Sequence, residues 1–228
     1  MLKTYGIVSG LAPKGAVTMK SALLSAATNK GLQVEVVMDD RIPPMDAPDS
    51  RTALADQKIT VMDAVSALAE EGVAAVLVAG LKAQSFLPEV QTEMQVPVLS
   101  LWNAVIEYAQ KQGITKIGVL GGCDEAEKKG QVAAFSSLEL VFPSDEIGCC
   151  CSPEDLATYV VRVAEDLKAQ GAELLLPWCE HAVEALSVLE EKGFPVCNPY
   201  VLVGDYVVEY EWKRLAKPFK VGMIGGLG

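Results

Sequence analysis

Short runs of β-branched and aliphatic residues alternate along the chain with longer segments whose apolar positions repeat at helical spacing. The short runs predict strands at residues 4–8, 33–38, 75–78, 116–120, 174–176 and around 196. The longer segments predict helices at residues 16–29, 51–71, 103–112, 154–170 and 183–192. Strands that alternate with helices are typical of parallel sheets covered by helices on both faces. The pattern therefore predicts an α/β fold.

A strand-like motif recurs along the chain. A lysine, a short apolar run that carries glycine and a closing glycine form the segments KTYGIVSG, KIGVLGG and KVGMIGG, which begin at Lys3, Lys116 and Lys220. Each copy predicts a strand that runs into a glycine turn, where the missing Cβ lets a ligand approach the backbone. The recurrence indicates an internal repeat.

A second pattern follows the first two copies. Gly72 leads through VAAVLVA to Gly80, and Gly171 leads through AELLLPW to Cys179 at the same spacing. Gly80 and Cys179 therefore fall at equivalent strand ends. The alternative is that βα units share a glycine-and-apolar pattern by chance.

These repeats predict how the chain is divided. A Pro-Val pair follows each strand end, at residues 97–98 and 195–196. We predict two pseudo-symmetric α/β/α units, residues 1–112 and 113–212, with a cleft between them at the carboxyl ends of the strands, where open parallel sheets bind ligands. Residues 213–228 begin another copy of the motif. They predict a further unit in a longer native chain, and an ordinary final strand or tail is the alternative.

Composition and charge exclude some classes of binding partner. The net charge of −11 repels nucleic acid and anionic lipid surfaces. No apolar run approaches the roughly 18 residues that span a bilayer, and residues 1–10 do not resemble a secretory signal. We therefore predict a cytoplasmic protein that binds neither nucleic acid nor membranes.

The six cysteines are better interpreted as thiols than as a disulfide framework in this compartment. Cys149, Cys150 and Cys151 are contiguous, and adjacent residues of an extended chain point to opposite faces. They are therefore poorly placed to share one tetrahedral zinc ion. The sequence predicts no metal site.

Several motifs together resemble the aspartate/glutamate racemase superfamily, whose members use no cofactor. Residues 9–13 (SGLAP) resemble the GGMGP-like turn after the family's first strand, and residues 225–228 (GGLG) resemble it more closely. Residues 195–199 (PVCNP) resemble the family's PVIDP segment. The resemblance covers essentially the whole chain and implies the family's two-unit α/β fold.

Family members carry one cysteine in a Cys-Asn-Thr motif and a second in a Cys-Thr-Glu motif. Racemisation needs a base on one face of the α-carbon and an acid on the other, which two facing thiols supply. Cys179 matches the second cysteine, and the resemblance makes it the catalytic thiol; a small buried hydrophobe is the alternative. Gly80 occupies the position of the cysteine in the first motif. Glu180 and His181 replace the threonine and glutamate of the second motif.

Other residues at these positions are candidates for substrate binding. The candidates are Gly10, Arg51, Gly80, Leu81, Lys82, Glu180 and His181. Arg51 lies in a segment that resembles the family's Pro-Asp-Arg-Thr, whose arginine meets a substrate carboxylate. Lys82 offers a cation to an acidic substrate, and His181 lies near enough in sequence to accept a proton from the thiol. A solvent-facing lysine and a solvent-facing histidine are the alternatives.

Three functions follow from the resemblance. The first is a cofactor-independent racemase for an amino acid or related carboxylate, in which an unidentified group or water replaces the first cysteine. The second is a decarboxylase-like lyase, since some relatives pair a glycine with a single cysteine. The third is a non-catalytic half of a tandem racemase protein. The resemblance also suggests a homodimer, and Tyr206, Tyr210 and Trp212 fit either a dimer contact or the closing of the core.

Overall fold

The structure is a computed structural model that describes residues 2–41, 51–121, 134–144 and 153–215. Its strands are β1 (Lys3–Val8), β2 (Val34–Asp39), β3 (Val76–Val78), β4 (Val98–Leu99), β5 (Lys116–Leu120), β6 (Glu139–Val141) and β7 (Leu174–Pro177). Its α-helices are α1 (Pro13–Asn29), α2 (Arg51–Glu70), α3 (Leu87–Glu93), α4 (Leu101–Gln112), α5 (Pro153–Ala169), α6 (Glu180–Glu184), α7 (Leu186–Glu191) and α8 (Pro199–Leu215). A 3-10 helix at Lys82–Ser85 precedes α3.

All the strands that pair in these residues do so in parallel, in two sheets of related order. The first sheet has the order β2-β1-β3-β4 and the second the order β6-β5-β7. Leu175 of β7 also forms a parallel bridge with Val196, in the place that β4 holds beside β3. The predicted α/β fold with parallel sheets is therefore confirmed. The matching strand order fits two pseudo-symmetric units, whereas their boundaries stay predictions.

The helical segments differ from the predicted ones mainly in the second half of the chain. The segment predicted as one helix at 183–192 forms α6 and α7, which meet at Ala185. Short elements such as β6 and α3 carry too few apolar positions to show a period in the sequence. Helix α8 begins where the Asn198 side chain accepts a hydrogen bond from Tyr200 N at 3.0 Å, with Pro199 as the first helical residue.

Helix α8 joins the two halves of the molecule. It follows the second sheet in sequence, yet it packs on α1 and α4 of the first half. A Cβ at Gly204 would lie 2.6 Å from the backbone of Ala22, so glycine lets α8 and α1 approach closely. Because α8 runs to Leu215, it continues past the predicted boundary at residue 212.

One apolar core spans both sheets. Ile7 of the first sheet and Leu176 of the second belong to the same buried cluster. At its centre the indole of Trp178 stacks on that of Trp102, with ring centroids 4.4 Å apart. Stacked buried indoles contribute both apolar area and a preferred geometry. The segment that follows β7 is therefore fixed against the first half of the molecule.

The aromatic residues of α8 divide between core and surface. Tyr206 and Tyr210 are partly buried and pack against the core, whereas the Trp212 side chain is 53% exposed. Only Trp212 of the three is thus strongly exposed in this chain. The suggested homodimer stays a prediction.

Some predicted features lie outside the described residues. They are the cysteines at 149–151 and the final glycine motif, residues 220–226. Among the described residues, no helix combines the length and apolar character that a bilayer crossing needs. Within those ranges, His, Cys, Asp and Glu side chains form no group of three or more suited to a metal ion.

Candidate active site

Several parallel strands of the two sheets end at one region of the molecule. Gly10 lies just beyond β1, Gly80 beyond β3, Gly121 after β5 and Cys179 beyond β7. Leu11, in the turn after β1, packs against Gly80, and Cys179 packs against Gly121. The carboxyl edges of parallel sheets are where such folds bind ligands. This region is therefore the candidate active site.

The thiol of Cys179 is held at the edge of the second sheet. The backbone N–H of Trp178 donates to Leu120 O at 2.8 Å, which continues the β5–β7 pairing up to the cysteine. Cys179 is extended and immediately precedes α6, and it is 9% exposed. Its Sγ lies 3.4 Å from the position that a Cβ on Gly121 would take. Glycine at 121 thus leaves space beside the thiol.

Gly80 occupies the equivalent position on the first sheet. Its φ of +136° is a conformation that residues with a Cβ rarely adopt. An added Cβ would also lie 3.1 Å from Leu11 Cβ. The backbone at residue 80 is therefore suited to glycine and not to a thiol-bearing side chain.

The loop after β3 is fixed by a buried glutamine. Gln84 is 2% exposed, and its amide donates to Val78 O at 3.0 Å and to Gly80 O at 3.2 Å. Its carbonyl oxygen accepts from Leu101 N at 2.8 Å, at the start of α4. Because both ends of this amide are satisfied by backbone, the loop is held in one conformation. No local sequence pattern distinguishes Gln84 from a surface glutamine.

The carboxyl group of Glu180 crosses from the second half to the first. Its Oε1 accepts a hydrogen bond from the Tyr200 hydroxyl at 2.5 Å and a long one from Leu81 N at 3.5 Å. The backbone of Gly80 is also close enough to the Tyr200 hydroxyl to oppose the rise of its pKa. Glu180 is half-buried and Tyr200 is 1% exposed. A carboxyl and a phenol therefore meet at the loop that follows β3.

A glycine of α1 positions Tyr200. A Cβ at Gly15 would lie 2.5 Å from Tyr200 Cζ, so the phenol ring rests directly on the first turn of α1. Tyr200 has no distinctive motif of its own in the sequence, although it follows the segment at 195–199 that resembles PVIDP. Its role arises from the packing of α8 on α1, which has no local sequence signal.

Burial changes the acidity of both groups. It raises the pKa of the Glu180 carboxyl above its usual range, against the opposing effect of the hydrogen bonds from Tyr200 and Leu81. Burial is the main cause that raises the pKa of the Tyr200 hydroxyl, and the nearby charge of Glu180 raises it further. Tyr200 is therefore a phenol at neutral pH, and Glu180 takes up a proton more readily than an exposed glutamate.

The structure brings together only some of the candidates from the sequence. Cys179, Glu180, Gly80 and Leu81 meet at the cleft as described above. Lys82 is half-buried at the start of the 3-10 helix. His181 is exposed on α6. Arg51 is the first residue of α2, and its side chain lies outside the described part of the structure.

Solved structures of several racemases and isomerases share this fold. An aspartate racemase homologue from Pyrococcus horikoshii is 19% identical, with a TM-score of 0.68, over 91% of this chain and 98% of that chain. Allantoin racemase from Klebsiella pneumoniae is 16% identical, with a TM-score of 0.66, over 94% and 89%. Maleate isomerase from Pseudomonas putida is 12% identical, with a TM-score of 0.65, over 92% and 93%. At these identities the similarity concerns the fold alone.

Comparison of the sequence identifies the family more specifically than the similarity of the fold does. No curated protein sequence matches the chain. The sequence profile of the Asp/Glu/hydantoin racemase family, in contrast, matches residues 8–179, from the end of β1 to the candidate thiol. Because this match covers most of the chain, the protein belongs to the Asp/Glu/hydantoin racemase family.

Proposed function

We propose that this protein catalyses cofactor-independent proton transfer at the carbon next to a carboxylate, with Cys179 as the acid/base thiol. The substrate is an amino acid or a related small carboxylate. The observation that carries the proposal is the place of the Cys179 thiol beyond β7, beside Gly121 and at the cleft between the two sheets. Membership of the racemase family supports the same class of chemistry.

The chemistry of the reaction explains the need for a thiol there. An α-proton next to a carboxylate is a weak acid, so its removal needs a positioned base and a site that stabilises the carbanion. The proton passes from the α-carbon to the Cys179 thiolate and returns from the thiol. Leu81 N, in the loop that follows β3, is one backbone donor at this edge of the sheets.

The proposal names a class of reaction and not one substrate. The structural neighbours include a protein named as an allantoin racemase and one named as a maleate isomerase. The shared fold therefore accommodates substrates beyond acidic amino acids. Aspartate and glutamate are the first probes because the family profile names them. A cytoplasmic location and a homodimer remain predictions from the sequence.

Two alternatives each have one supporting observation. The tight, positive-φ backbone at Gly80 leaves no place for a second thiol, which favours a lyase in which one thiol protonates a carbanion after CO₂ leaves. The Glu180 carboxyl at Leu81 N opposes a substrate carboxylate at the same amide, which favours a non-catalytic half of a tandem protein.

Proton NMR in D₂O distinguishes these functions. The wild-type protein is incubated with each enantiomer of aspartate and of glutamate, and the α-proton signal is followed with time. We expect the signal of at least one amino acid to decay through exchange with solvent deuterium. An unchanged α-proton in all four samples would contradict the proposal for acidic amino acids and would favour the lyase or the non-catalytic half.

A further inference from the structure

We infer that Glu180, hydrogen-bonded to Tyr200, is the second acid/base group of this site and acts on the face of the substrate opposite to Cys179. This inference rests on the proposed function and identifies the group that acts in place of a thiol at residue 80. It goes beyond the prediction from the sequence, in which Glu180 is only a candidate for substrate binding.

The backbone at residue 80 excludes a second catalytic side chain at that position. A two-base site needs a proton-transferring group on each face of the α-carbon. Gly80 has no such group, and its φ of +136° and the nearby Leu11 disfavour any side chain there. The second group must therefore reach this side of the cleft from another element.

Glu180 reaches that side. Its carboxyl lies at the loop after β3, where it accepts hydrogen bonds from Leu81 N and from the Tyr200 hydroxyl. The thiol of the preceding residue lies instead at Gly121, beyond β5 of the second sheet. Two adjacent residues thus direct a thiol and a carboxyl to opposite sheets. A substrate α-carbon held between them has one group on each face.

The partner of the carboxyl suits proton transfer. Tyr200 is almost fully buried, and its ring rests on Gly15, so its hydroxyl is fixed against Glu180 Oε1. Burial raises the pKa of the Glu180 carboxyl, which favours its protonated form relative to an exposed glutamate. Tyr200 is a positioning residue in this arrangement: it orients the carboxyl and does not itself contact the substrate.

The proton balance is complete without a cofactor. The Cys179 thiolate takes the α-proton from one face, and the protonated Glu180 carboxyl gives its proton to the other face of the carbanion. The products are the opposite enantiomer, a Cys179 thiol and a Glu180 carboxylate. The reverse reaction starts from the Cys179 thiol and the Glu180 carboxylate. Alternatively, proton exchange with solvent restores the Cys179 thiolate and the protonated Glu180 carboxyl.

The test is Glu180→Gln, with Glu184→Gln as the matched control. Glu184 lies on the same helix but is exposed and pairs with Lys14. Glutamine at 180 keeps an oxygen that accepts from Tyr200 and Leu81, so the fold should persist, which a thermal melt checks. Inversion of aspartate and glutamate is followed by chiral chromatography, and deuterium incorporation into each enantiomer by NMR in D₂O.

Glu180→Gln is expected to slow inversion by at least about 100-fold, the usual effect of losing one general acid or base. One enantiomer should still exchange its α-proton with retention, because Cys179 remains, while Glu184→Gln inverts at the wild-type rate. Tyr200→Phe is expected to lower kcat for inversion and to leave KM unchanged.

Three outcomes would overturn the inference. Inversion by Glu180→Gln at the rate of Glu184→Gln would remove Glu180 from proton transfer and leave the proposed function intact. Loss of exchange of both enantiomers in a folded Glu180→Gln protein would assign Glu180 to substrate binding. Absence of exchange in the wild-type protein would remove the proposed function itself, and this inference with it.

Discussion

Replacing Cys179 with alanine is expected to slow α-proton exchange by about 10²–10⁴-fold, the range for loss of a positioned acid/base group. This slowing should fall on the enantiomer that the thiolate deprotonates. Alanine removes only the sulfur from a residue that is already mostly buried beside Gly121, so the fold and the Glu180 contact to Tyr200 should remain. The measurement is deuterium incorporation by NMR, with the wild-type protein in a parallel sample.

Cys197→Ala is the matched control for this variant. Cys197 is buried, its thiol donates to Leu175 O at 3.5 Å, and burial raises its pKa to about 12. It stays a thiol at neutral pH and is unable to act as a base. We expect Cys197→Ala to exchange the α-proton at the wild-type rate and to be less stable by about 1 kcal/mol. Equal loss of exchange in both variants would point to general damage and contradict the role of Cys179.

Gly80→Cys is expected to lower the free energy of unfolding by about 1–3 kcal/mol and to leave racemisation no faster than in the wild type. The new residue would have to adopt a φ near +136° with its Cβ against Leu11. Chemical denaturation measures the stability, and chiral chromatography measures the inversion of aspartate and glutamate.

Gly31→Cys separates the two causes of this destabilisation. Gly31 also has a positive φ, +67°, but an added Cβ there meets no atom within 4 Å. It should therefore cost only the backbone conformation, roughly 1 kcal/mol, and less than Gly80→Cys. A stable Gly80→Cys protein that inverts amino acids faster than the wild type would show that a two-thiol site is intact. That result would contradict the role inferred for Glu180.

The sequence predicts the fold and the position of the thiol because both depend on local patterns. Short apolar strands bounded by glycine mark the carboxyl edges of the sheets, and β5 was predicted with its correct bounds. The equal spacing from Gly72 to Gly80 and from Gly171 to Cys179 places both residues at strand ends, where the structure has them. The bounds of these strands and helices can be predicted from the sequence because short apolar runs alternate with segments of helical spacing.

The rest of the site depends on contacts between distant parts of the chain. Tyr200 reaches Glu180 only because α8 packs on α1, with Gly15 beneath the phenol ring and Gly204 at the helix contact. Gln84 is recognisable only once the loop it holds is known. The sequence made Glu180 a candidate for substrate binding, but it contains no sign of the hydrogen bond between its carboxyl and the Tyr200 phenol. Such pairings leave no period or motif in the sequence.

We expect the cleft to hold a substrate α-carbon between Cys179 and Glu180. A crystal structure of the Cys179→Ala variant grown with aspartate or glutamate would show this arrangement, because this variant is expected to bind the amino acid without inverting it. The α-carbon of the ligand should lie between residue 179 and the Glu180 carboxyl, with its carboxylate on backbone N–H groups of the surrounding loops. A ligand bound elsewhere, or a cleft that stays empty with both amino acids, would contradict it.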